Sequence, residues 1–306
     1  MDRPRILIIG AGMVGSSSAA SMAARRLGAI FLYDSMEGLA EGRAMDINHS
    51  LPAHGSDSAV IGCNRLEEAP RSDIVVITAG MARQAGETRL DLLRHNARVI
   101  RSLAPRIAEH SPEARVLLVT NPVDVLTWHC KALCPDMPVF GLGCALDTAR
   151  FRFFLSRAAH VSVESVQGLV IGTHDDNMIP LTDYATIGGI PASTLLSSDA
   201  MDAIVSMTRS AGNTIVNLMK SHSGHYAAGE VVAHIAESVA SDRGLTFPVS
   251  VCLSGEYGYS DTCLALPCIL DRSGVREVLR MELNERDKAA LDTCAASIAA
   301  QIGSLA

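Results

Sequence analysis

The chain has 306 residues, of which 48% are hydrophobic and 19% are charged, and it carries a formal net charge of −7 at pH 7. This length exceeds one small core and favours two domains, and the composition is that of a globular protein. The negative charge and the lack of basic runs argue against nucleic acid or an anionic membrane as a partner. An anionic substrate would therefore need a local cationic pocket.

The start of the chain and the cysteines both bear on the cellular compartment in which we expect the protein. No apolar run reaches membrane-spanning length, and Met1 to Arg5 leads into a strand rather than a signal-peptide core, so we expect a cytoplasmic protein. The eight cysteines form no Cys-x-x-Cys pair, which favours reduced core thiols over a disulfide or zinc framework. Cys130 and Cys134 lie beside His129 on a predicted helix. They favour a core-facing stripe, and a metal site is the alternative.

A strand, a glycine-rich turn and a helix open the chain. The apolar run from Arg5 ends in Gly10-Ala-Gly-Met-Val-Gly15, and a helix rich in small residues follows from Ser16 to Arg26. In this pattern the first glycine allows a tight turn, the second lets a pyrophosphate approach the backbone, and the third lets the helix pack on the strand. The segment therefore predicts a dinucleotide-binding turn.

A second predicted strand, from Ala29 to Tyr33, ends at Asp34. A carboxylate there can hydrogen-bond both hydroxyls of a ribose and would repel a 2′-phosphate, which favours NAD over NADP as the cofactor. The alternative is that Asp34 is only an acidic cap at the end of a strand.

A predicted strand from Asp73 to Thr78 leads into a polar loop that contains Arg83, Gly86 and Arg89. Ligands of an open parallel sheet bind beyond the carboxyl ends of its strands, so two cations on such a loop suit an anionic substrate. Gly86 would let the loop fold over the site as a lid. The alternative is that both arginines are ordinary surface charges.

The next elements continue the alternation of strands and helices. Strands are predicted from Ser58 to Gly62 and from Ala114 to Thr120, and an amphipathic helix from Leu90 to Glu109. The later strand ends at Asn121-Pro122. An amide fixed at that point is well placed to hydrogen-bond a ligand, although Asn-Pro is also common turn chemistry.

Charged residues follow on a helix and after a strand. Asp147 and Arg150 are three residues apart on a predicted helix and therefore share a face, as a site pair or as a simple surface ion pair. A predicted strand from Gln167 to Gly172 then leads to His174-Asp175-Asp176. A histidine at a strand exit near carboxylates is a candidate general acid/base, and a structural histidine is the alternative.

The rest of the chain contains helices and a strand-rich stretch. Helices are predicted from Asp199 to Ser221, from Glu230 to Ser241 and from Asn284 to Ile302, and a hairpin turn is predicted at Gly255-Glu-Tyr-Gly-Tyr259. We therefore predict an α/β fold: an N-terminal Rossmann domain with a doubly wound parallel sheet at residues 1–145, and a C-terminal α+β substrate domain at residues 146–306.

Together these pieces resemble the lactate/malate dehydrogenase family over nearly the whole chain, most of all its bacterial malate-type members that are similar to lactate dehydrogenases. The order and spacing of the motifs make chance agreement very improbable. The motifs are Gly10-Ala-Gly-Met-Val-Gly15, Thr78-Ala-Gly-Met-Ala-Arg83, Gly86-Glu-Thr-Arg89, Val119-Thr-Asn-Pro-Val-Asp124, Leu146-Asp-Thr-Ala-Arg150 and Gly255-Glu-Tyr-Gly-Tyr259.

The resemblance implies an NAD-dependent oxidoreductase and a role for each candidate residue. His174 would exchange the substrate hydroxyl proton while Asp147 orients its ring. Arg150 would bind the C1 carboxylate, Arg89 would polarise the carbonyl, and Asn121 would hydrogen-bond the reacting oxygen. The implied cofactor contacts are Gly10, Ala11, Gly12, Met13, Val14, Gly15, Asp34, Asn96, Val119, Thr120 and Asn121.

Arg83 indicates the substrate. Lactate-specific members resemble this loop but usually have glutamine at this position, whereas malate-specific members have arginine, which pairs with a second carboxylate. A guanidinium left without an anion is costly, so we expect oxaloacetate to be accepted and pyruvate rejected. The alternatives are a lactate or other 2-hydroxy-acid dehydrogenase, or a non-catalytic dinucleotide-binding relative. The resemblance also implies a homodimer or homotetramer.

The chain departs from the family in three places. The family usually has glycine where this chain has Asp175, and proline in the loop where it has Ala85, and the segment from His222 to Ala228 also differs. Glycine would allow a positive φ, whereas aspartate adds a charge near a dianionic substrate. We expect the Asp175 carboxylate to point to solvent, where screening makes it nearly silent.

Overall fold

The structure, a computed structural model, describes residues 3–81, 88–220 and 224–305. The strands are β1 (Arg5–Ile9), β2 (Ala29–Tyr33), β3 (Val60–Cys63), β4 (Ile74–Ile77), β5 (Arg115–Leu118), β6 (Val139–Gly141), β7 (Val166–Gln167), β8 (Val170–Ile171), β9 (Ile179–Pro180), β10 (Thr186–Ile187), β11 (Ile190–Pro191), β12 (Leu245–Ser254), β13 (Ser260–Asp271) and β14 (Gly274–Val278). The helices are α1 (Met13–Ala24), α2 (Leu39–Ser50), α3 (Arg89–His110), α4 (Val123–Leu133), α5 (Ala145–Ala158), α6 (Ala192–Leu195), α7 (Ser198–Met219), α8 (Tyr226–Ala240) and α9 (Glu285–Gly303).

One large sheet has the strand order β14-β13-β12-β6-β5-β4-β1-β2-β3. The strands from β6 to β3 are parallel, with Ile6 of β1 between Ile30 of β2 and Ile74 of β4. At the other side β12 joins β6 in the antiparallel sense, with Ser250 opposite Gly141. This is a doubly wound Rossmann sheet with an antiparallel extension, so the predicted fold class is confirmed.

The parallel strands form because they are short apolar runs that can be buried on both faces. β4 reads Ile-Val-Val-Ile, and none of its four side chains is more than 2% exposed. Helices such as α1, α3 and α4 cover the sheet, as a parallel sheet requires. Because parallel neighbours end at the same edge, the first residues that follow β1, β4 and β5 lie side by side.

The C-terminal part adds the hairpin of β12 and β13, whose turn lies at the predicted Gly255–Tyr259 segment, and two small sheets. The prediction of a single strand from Gln167 to Gly172 was wrong. β7 pairs with β10 and β8 pairs with β9, so the chain changes sheets at Gly168 and Leu169. Gly168 packs against Phe151 so closely that a Cβ would lie 2.9 Å from its ring, and a glycine within a strand marks such an interruption.

The domain boundary between residues 145 and 146 stays a prediction, and the large sheet continues past it through the C-terminal hairpin. Within residues 3–81, 88–220 and 224–305, no helix is long and apolar enough to cross a membrane. Cys130 and Cys134 are both buried in the main hydrophobic core, where the predicted stripe would place them. Over the same described ranges, no group of three or more His, Cys, Asp or Glu residues is arranged to hold a metal ion.

Candidate active site

The glycine-rich turn between β1 and α1 is too tight for a side chain at two positions. Gly10 has a φ of 108°, and its N–H donates to the Tyr33 carbonyl at 2.8 Å. A Cβ on Gly10 would lie 2.7 Å from the Ala79 nitrogen, and a Cβ on Gly15 would lie 1.9 Å from the Gly10 carbonyl oxygen. Both positions therefore need glycine if the turn and the helix are to close onto the strands.

Gly12, in contrast, borders open space. A Cβ at this position would meet no atom of the described residues within 4 Å. Gly12 is the N-cap of α1, no side chain caps this helix end, and its first turn contains no acidic residue. The backbone N–H groups there favour an anion, and the open side of Gly12 gives a pyrophosphate room to approach them. Ala11, Met13 and Val14 complete this turn, which fits a dinucleotide.

Asp34 lies at the end of β2, beside the same turn. Its Oδ2 accepts the Ala11 N–H at 2.7 Å, and its Oδ1 accepts the Met36 N–H at 2.9 Å. The carboxylate is therefore fixed at the rim of the turn, and each oxygen retains a lone pair for a further donor. A ribose hydroxyl would meet an acceptor there, whereas a 2′-phosphate would meet a negative charge.

Asn96 is fully buried and joins the loops after β4 and β5. Its Nδ2 donates to the Asn121 carbonyl at 2.7 Å and to the Met81 carbonyl at 3.1 Å, while its Oδ1 accepts the Met81 N–H at 2.8 Å. The Thr120 hydroxyl adds a bond to the Ala79 carbonyl at 2.7 Å. Asn96 and Thr120 thus position the two loops, whereas Asn121 is exposed at the end of β5.

Asp147 contacts both His174 and Arg150. Asp147 is fully buried; its Oδ2 lies 2.6 Å from the His174 Nδ1, and its Oδ1 accepts the Arg150 Nη1–H at 3.0 Å. α5 places Asp147 and Arg150 on one face, and the chain after β8 brings His174 to them. A surface ion pair therefore does not describe Asp147, because this carboxylate has no exposed surface.

Burial and charge act in opposite directions on the pair of His174 and Asp147. Burial would lower the pKa of His174, but the charge of Asp147 and the hydrogen bond with it, assisted by Asp124, hold this pKa above its ordinary value of 6.5. Burial would raise the pKa of Asp147, but His174 and Arg150 hold it below its ordinary value of 3.8. The ring can therefore hold a proton beside an ionised carboxylate, as a general acid must.

A second buried carboxylate, Asp124, supports His174, and no role was predicted for this residue from sequence. Its Oδ2 accepts the backbone N–H of His174 at 2.8 Å, and its Oδ1 accepts the Ser250 hydroxyl at 2.5 Å. Burial raises the pKa of Asp124 to about 6, and these two hydrogen bonds oppose the rise. The signal for this residue was an aspartate on the buried face of the apolar helix α4, where a carboxylate needs a partner.

Arg89 is the first residue of α3, and it is paired with Asp176, two residues after His174. Its Nη2–H donates to the Asp176 Oδ2 at 2.8 Å, and the two side chains are 63% and 57% exposed. The Asp176 Oδ1 also accepts the Asn213 Nδ2–H of α7 at 3.2 Å. Residues with predicted roles that lie outside the described ranges are Arg83, Ala85, Gly86 and His222.

Asp175 stands where the family usually has glycine, and its carboxylate is bound within its own turn. Its Oδ1 accepts the Thr173 hydroxyl and the Asn177 N–H, each at 2.8 Å. The positive φ of this segment is at Gly172, with 98°, and not at Asp175. The backbone therefore does not need glycine at position 175. The side chain is half-buried against Thr173, rather than directed fully into solvent as we expected.

Profiles of two domains match the chain. The lactate/malate dehydrogenase NAD binding domain matches residues 4–138, and the lactate/malate dehydrogenase alpha/beta C-terminal domain matches residues 144–305. Among curated relatives, the malate dehydrogenase of Roseiflexus sp. is 38% identical over 305 residues, with 99% of each chain covered. The malate dehydrogenase of Bacillus cytotoxicus is 38% identical over 302 residues, with 97% of each chain covered.

Solved structures from both branches of this family are similar to the chain. The malate dehydrogenase of Cryptosporidium parvum has a TM-score of 0.95 and 33% identity, with 99% of each chain covered. The lactate dehydrogenase of the same organism, complexed with lactic acid and NAD, has a TM-score of 0.95 and 31% identity, covering 100% of this chain and 98% of its own. The fold alone therefore does not choose between the two substrates.

Proposed function

This chain belongs to the lactate/malate dehydrogenase family, and on that premise we propose that it interconverts (S)-malate and oxaloacetate with NAD as the cofactor. The chain is an NAD-dependent oxidoreductase, and its curated relatives named above are malate dehydrogenases. The single observation that carries the proposal is the contact of His174 with the fully buried Asp147, since it provides a proton donor with a raised pKa.

His174 moves the proton of the reaction. In the reducing direction, the protonated ring donates a proton to the substrate carbonyl oxygen; Asp147 holds the ring by Nδ1, and Nε2 is assigned to the substrate. In the oxidising direction, the neutral ring accepts the hydroxyl proton, and the resulting imidazolium is stabilised by the Asp147 charge. When bound, the cofactor would give a hydride to the carbonyl carbon of oxaloacetate, or take it from the hydroxyl-bearing carbon of malate.

The cations and the amide of the site bind and polarise the substrate. Arg150 has donors besides the Nη1–H that it gives to Asp147, and these are assigned to the C1 carboxylate of the substrate. Arg89 is assigned to the carbonyl oxygen, where negative charge develops. Asn121 is assigned to a hydrogen bond with the same oxygen, which its exposed position at the end of β5 supports.

The cofactor residues divide by what they do. The turn from Gly10 to Gly15 is assigned to the pyrophosphate, and Asp34 to the ribose hydroxyls. The backbone of Val119, Thr120 and Asn121 is assigned to holding the cofactor. Asn96 is assigned a positioning role, because its amide already bonds to the backbone of the loops after β4 and β5.

Arg83 is proposed to select oxaloacetate by pairing with its second carboxylate, and it lies outside the described residues. The test is NADH-dependent reduction of oxaloacetate, pyruvate and larger 2-oxo acids. We expect oxaloacetate to be preferred, and Arg83→Gln to change the ratio of kcat/KM for oxaloacetate and pyruvate by at least about 100-fold. Arg94→Gln, which removes an exposed arginine of α3, is the control that should leave the ratio unchanged.

Two results of this assay would redirect the proposal. A preference of the unchanged protein for pyruvate would favour the lactate-type alternative, which the similarity to lactate dehydrogenase structures keeps open. A lack of turnover with every 2-oxo acid, combined with NADH binding, would favour a non-catalytic relative.

The finer features of the assignment are also proposals. We place the domain boundary between residues 145 and 146, and we assign the chain to a homodimer or homotetramer in the cytoplasm, with neither nucleic acid nor membrane as a partner. The negative net charge supports the last point. Light scattering after size-exclusion chromatography would measure the oligomeric state.

A further inference from the structure

Two cysteines on the neighbouring strands of the C-terminal hairpin are in contact with each other. Cys252 of β12 lies directly opposite Cys263 of β13, and the two sulfur atoms are 2.8 Å apart. Opposite residues of an antiparallel pair have Cα atoms about 4.5 or 5.5 Å apart, and disulfides span about 4.4–6.8 Å between Cα atoms. A bond between these sulfurs would therefore require little movement of either strand.

The two thiols differ in access. Cys263 is fully buried, whereas Cys252 is half-buried and lines a cavity of about 560 Å³ beside β6 and β14. The charged residues in the lining of this cavity are Lys131, Glu256, Arg276, Glu277 and Arg280. Cys252 is therefore the thiol that an oxidant in solution can reach.

Cys263 is suited to react second, by attacking Cys252 after Cys252 has been oxidised. Burial raises the pKa of the Cys263 thiol well above its ordinary value, so it stays protonated at neutral pH and does not react first. Its sulfur nevertheless lies within contact distance of the Cys252 sulfur. It can therefore attack an oxidised Cys252 without leaving the core.

We propose that Cys252 and Cys263 are a reversible dithiol–disulfide site that is oxidised by a hydroperoxide. With hydrogen peroxide, the Cys252 thiolate forms an S–O bond as the O–O bond breaks, giving a sulfenic acid and, after proton uptake, water. The Cys263 sulfur then forms the S–S bond as the S–O bond breaks, and its proton leaves with the hydroxyl as a second water. Two electrons pass from the sulfurs to the peroxide. A dithiol reductant then returns the Cys252–Cys263 disulfide to two thiols and is itself oxidised to a disulfide.

The site lies beside the support of the candidate general acid/base. Ser250, two residues before Cys252, donates its hydroxyl to Asp124, which in turn accepts the His174 N–H. Ala265, two residues after Cys263, exchanges backbone hydrogen bonds with Gly172, just before His174. A link between Cys252 and Cys263 would thus restrain both strands that position His174. The inference itself needs only thiol chemistry and does not rest on the proposed function.

The test is peptide mapping of the full-length protein after treatment with a small excess of hydrogen peroxide at neutral pH. We expect two of its eight thiols to be lost, the protein to lose two hydrogen atoms, and one peptide linkage to appear between Cys252 and Cys263, which dithiothreitol removes. Cys252→Ser should abolish the linkage. Cys263→Ser should leave Cys252 as a sulfenic acid that dimedone traps.

Cys268→Ser is the matched control, because Cys268 is a fully buried thiol on the same strand as Cys263. This variant should form the linkage at the same rate as the unchanged protein. The proposal is overturned if all eight thiols survive, if Cys252 passes to sulfinic acid while Cys263 stays free, or if a different pair is linked. The mapping of the unchanged protein decides this even if a variant fails to fold.

Discussion

The Arg89 guanidinium donates to the Asp176 carboxylate at 2.8 Å, two positions along the chain from His174. The proposed mechanism needs this guanidinium at the substrate carbonyl, so Arg89 must exchange Asp176 for the substrate during turnover. Both side chains are more than half exposed, and such an ion pair is worth at most about 1 kcal/mol. The exchange therefore costs little free energy, and Asp176 competes only weakly with the substrate for Arg89.

Asp176→Asn tests this competition. Removal of the charge should free Arg89 and lower KM for oxaloacetate by no more than about fivefold, because the pair contributes only about 1 kcal/mol. Asp202→Asn removes a carboxylate from the same cleft and should leave KM unchanged. Steady-state kinetics of the two variants and the unchanged protein measure KM and kcat. A fall in kcat of more than about tenfold in Asp176→Asn would show instead that Asp176 takes part in the chemical step.

Asp124 should be needed for stability through its two hydrogen bonds. Asp124→Ala leaves the His174 N–H and the Ser250 hydroxyl without their acceptor, which should lower the free energy of unfolding by about 2–4 kcal/mol. Asp124→Asn keeps an oxygen for His174 and an N–H for Ser250, so its cost should be below about 1 kcal/mol. Urea unfolding of the three proteins measures the difference, and equal losses in both variants would contradict the role of these bonds.

The pH dependence of the same variants has a defined sign. The pKa of Asp124 in the folded protein is raised to about 6 from an ordinary value of 3.8. The protonated carboxyl therefore stabilises the folded protein, and this stabilisation is lost as pH rises through about 6. The amide introduced by Asp124→Asn does not titrate. The stability of Asp124→Asn relative to the unchanged protein should therefore improve between about pH 4 and pH 7, and a constant difference over this range would contradict the raised pKa.

Asp34→Ser tests the choice of cofactor. The unchanged enzyme should prefer NADH, because a 2′-phosphate would approach the Asp34 carboxylate, and the exchange should narrow the ratio of kcat/KM for NADH and NADPH by at least about tenfold. Glu37→Ser removes another exposed carboxylate of the same loop and should not change the ratio. Equal efficiency of the unchanged enzyme with both cofactors would refute the assignment of Asp34.

Asp175→Gly should change the efficiency of oxaloacetate reduction by less than about tenfold, which is roughly 1.4 kcal/mol of barrier. The carboxylate is bound to Thr173 and Asn177, and the backbone at this position does not use a positive φ. Parallel assays of the two proteins measure the change. A much larger gain in the glycine variant would mean that the Asp175 charge suppresses turnover.

The Rossmann half could be predicted from sequence because its signals are local. A strand, a glycine turn and a helix occur within one continuous segment, and Asp34 follows at the end of the next strand. The break between β7 and β8 was missed, because the pattern from Gln167 to Gly172 does not state that the two ends pair with different sheets.

The candidate site was less accessible from sequence because its contacts join distant residues. Asp147 and His174 are 27 residues apart, Arg89 and Asp176 are 87 apart, and Asp124 and Ser250 are 126 apart. The first pairing was inferred from the family resemblance, whereas the other two were missed. A local sequence pattern does not indicate which distant side chain a buried carboxylate or a carboxylate at the edge of the site will contact.

The most direct test of the proposed mechanism is the pH dependence of kcat/KM measured in both directions on the same enzyme. Oxaloacetate reduction needs protonated His174 and should fall as pH rises through a pKa above about 6.5, whereas malate oxidation needs the neutral ring and should rise over the same interval. Asp147→Asn should move this pKa to lower pH, because Asp147 contributes most to raising it. Profiles that rise or fall together in the two directions would contradict His174 as the group that exchanges the proton.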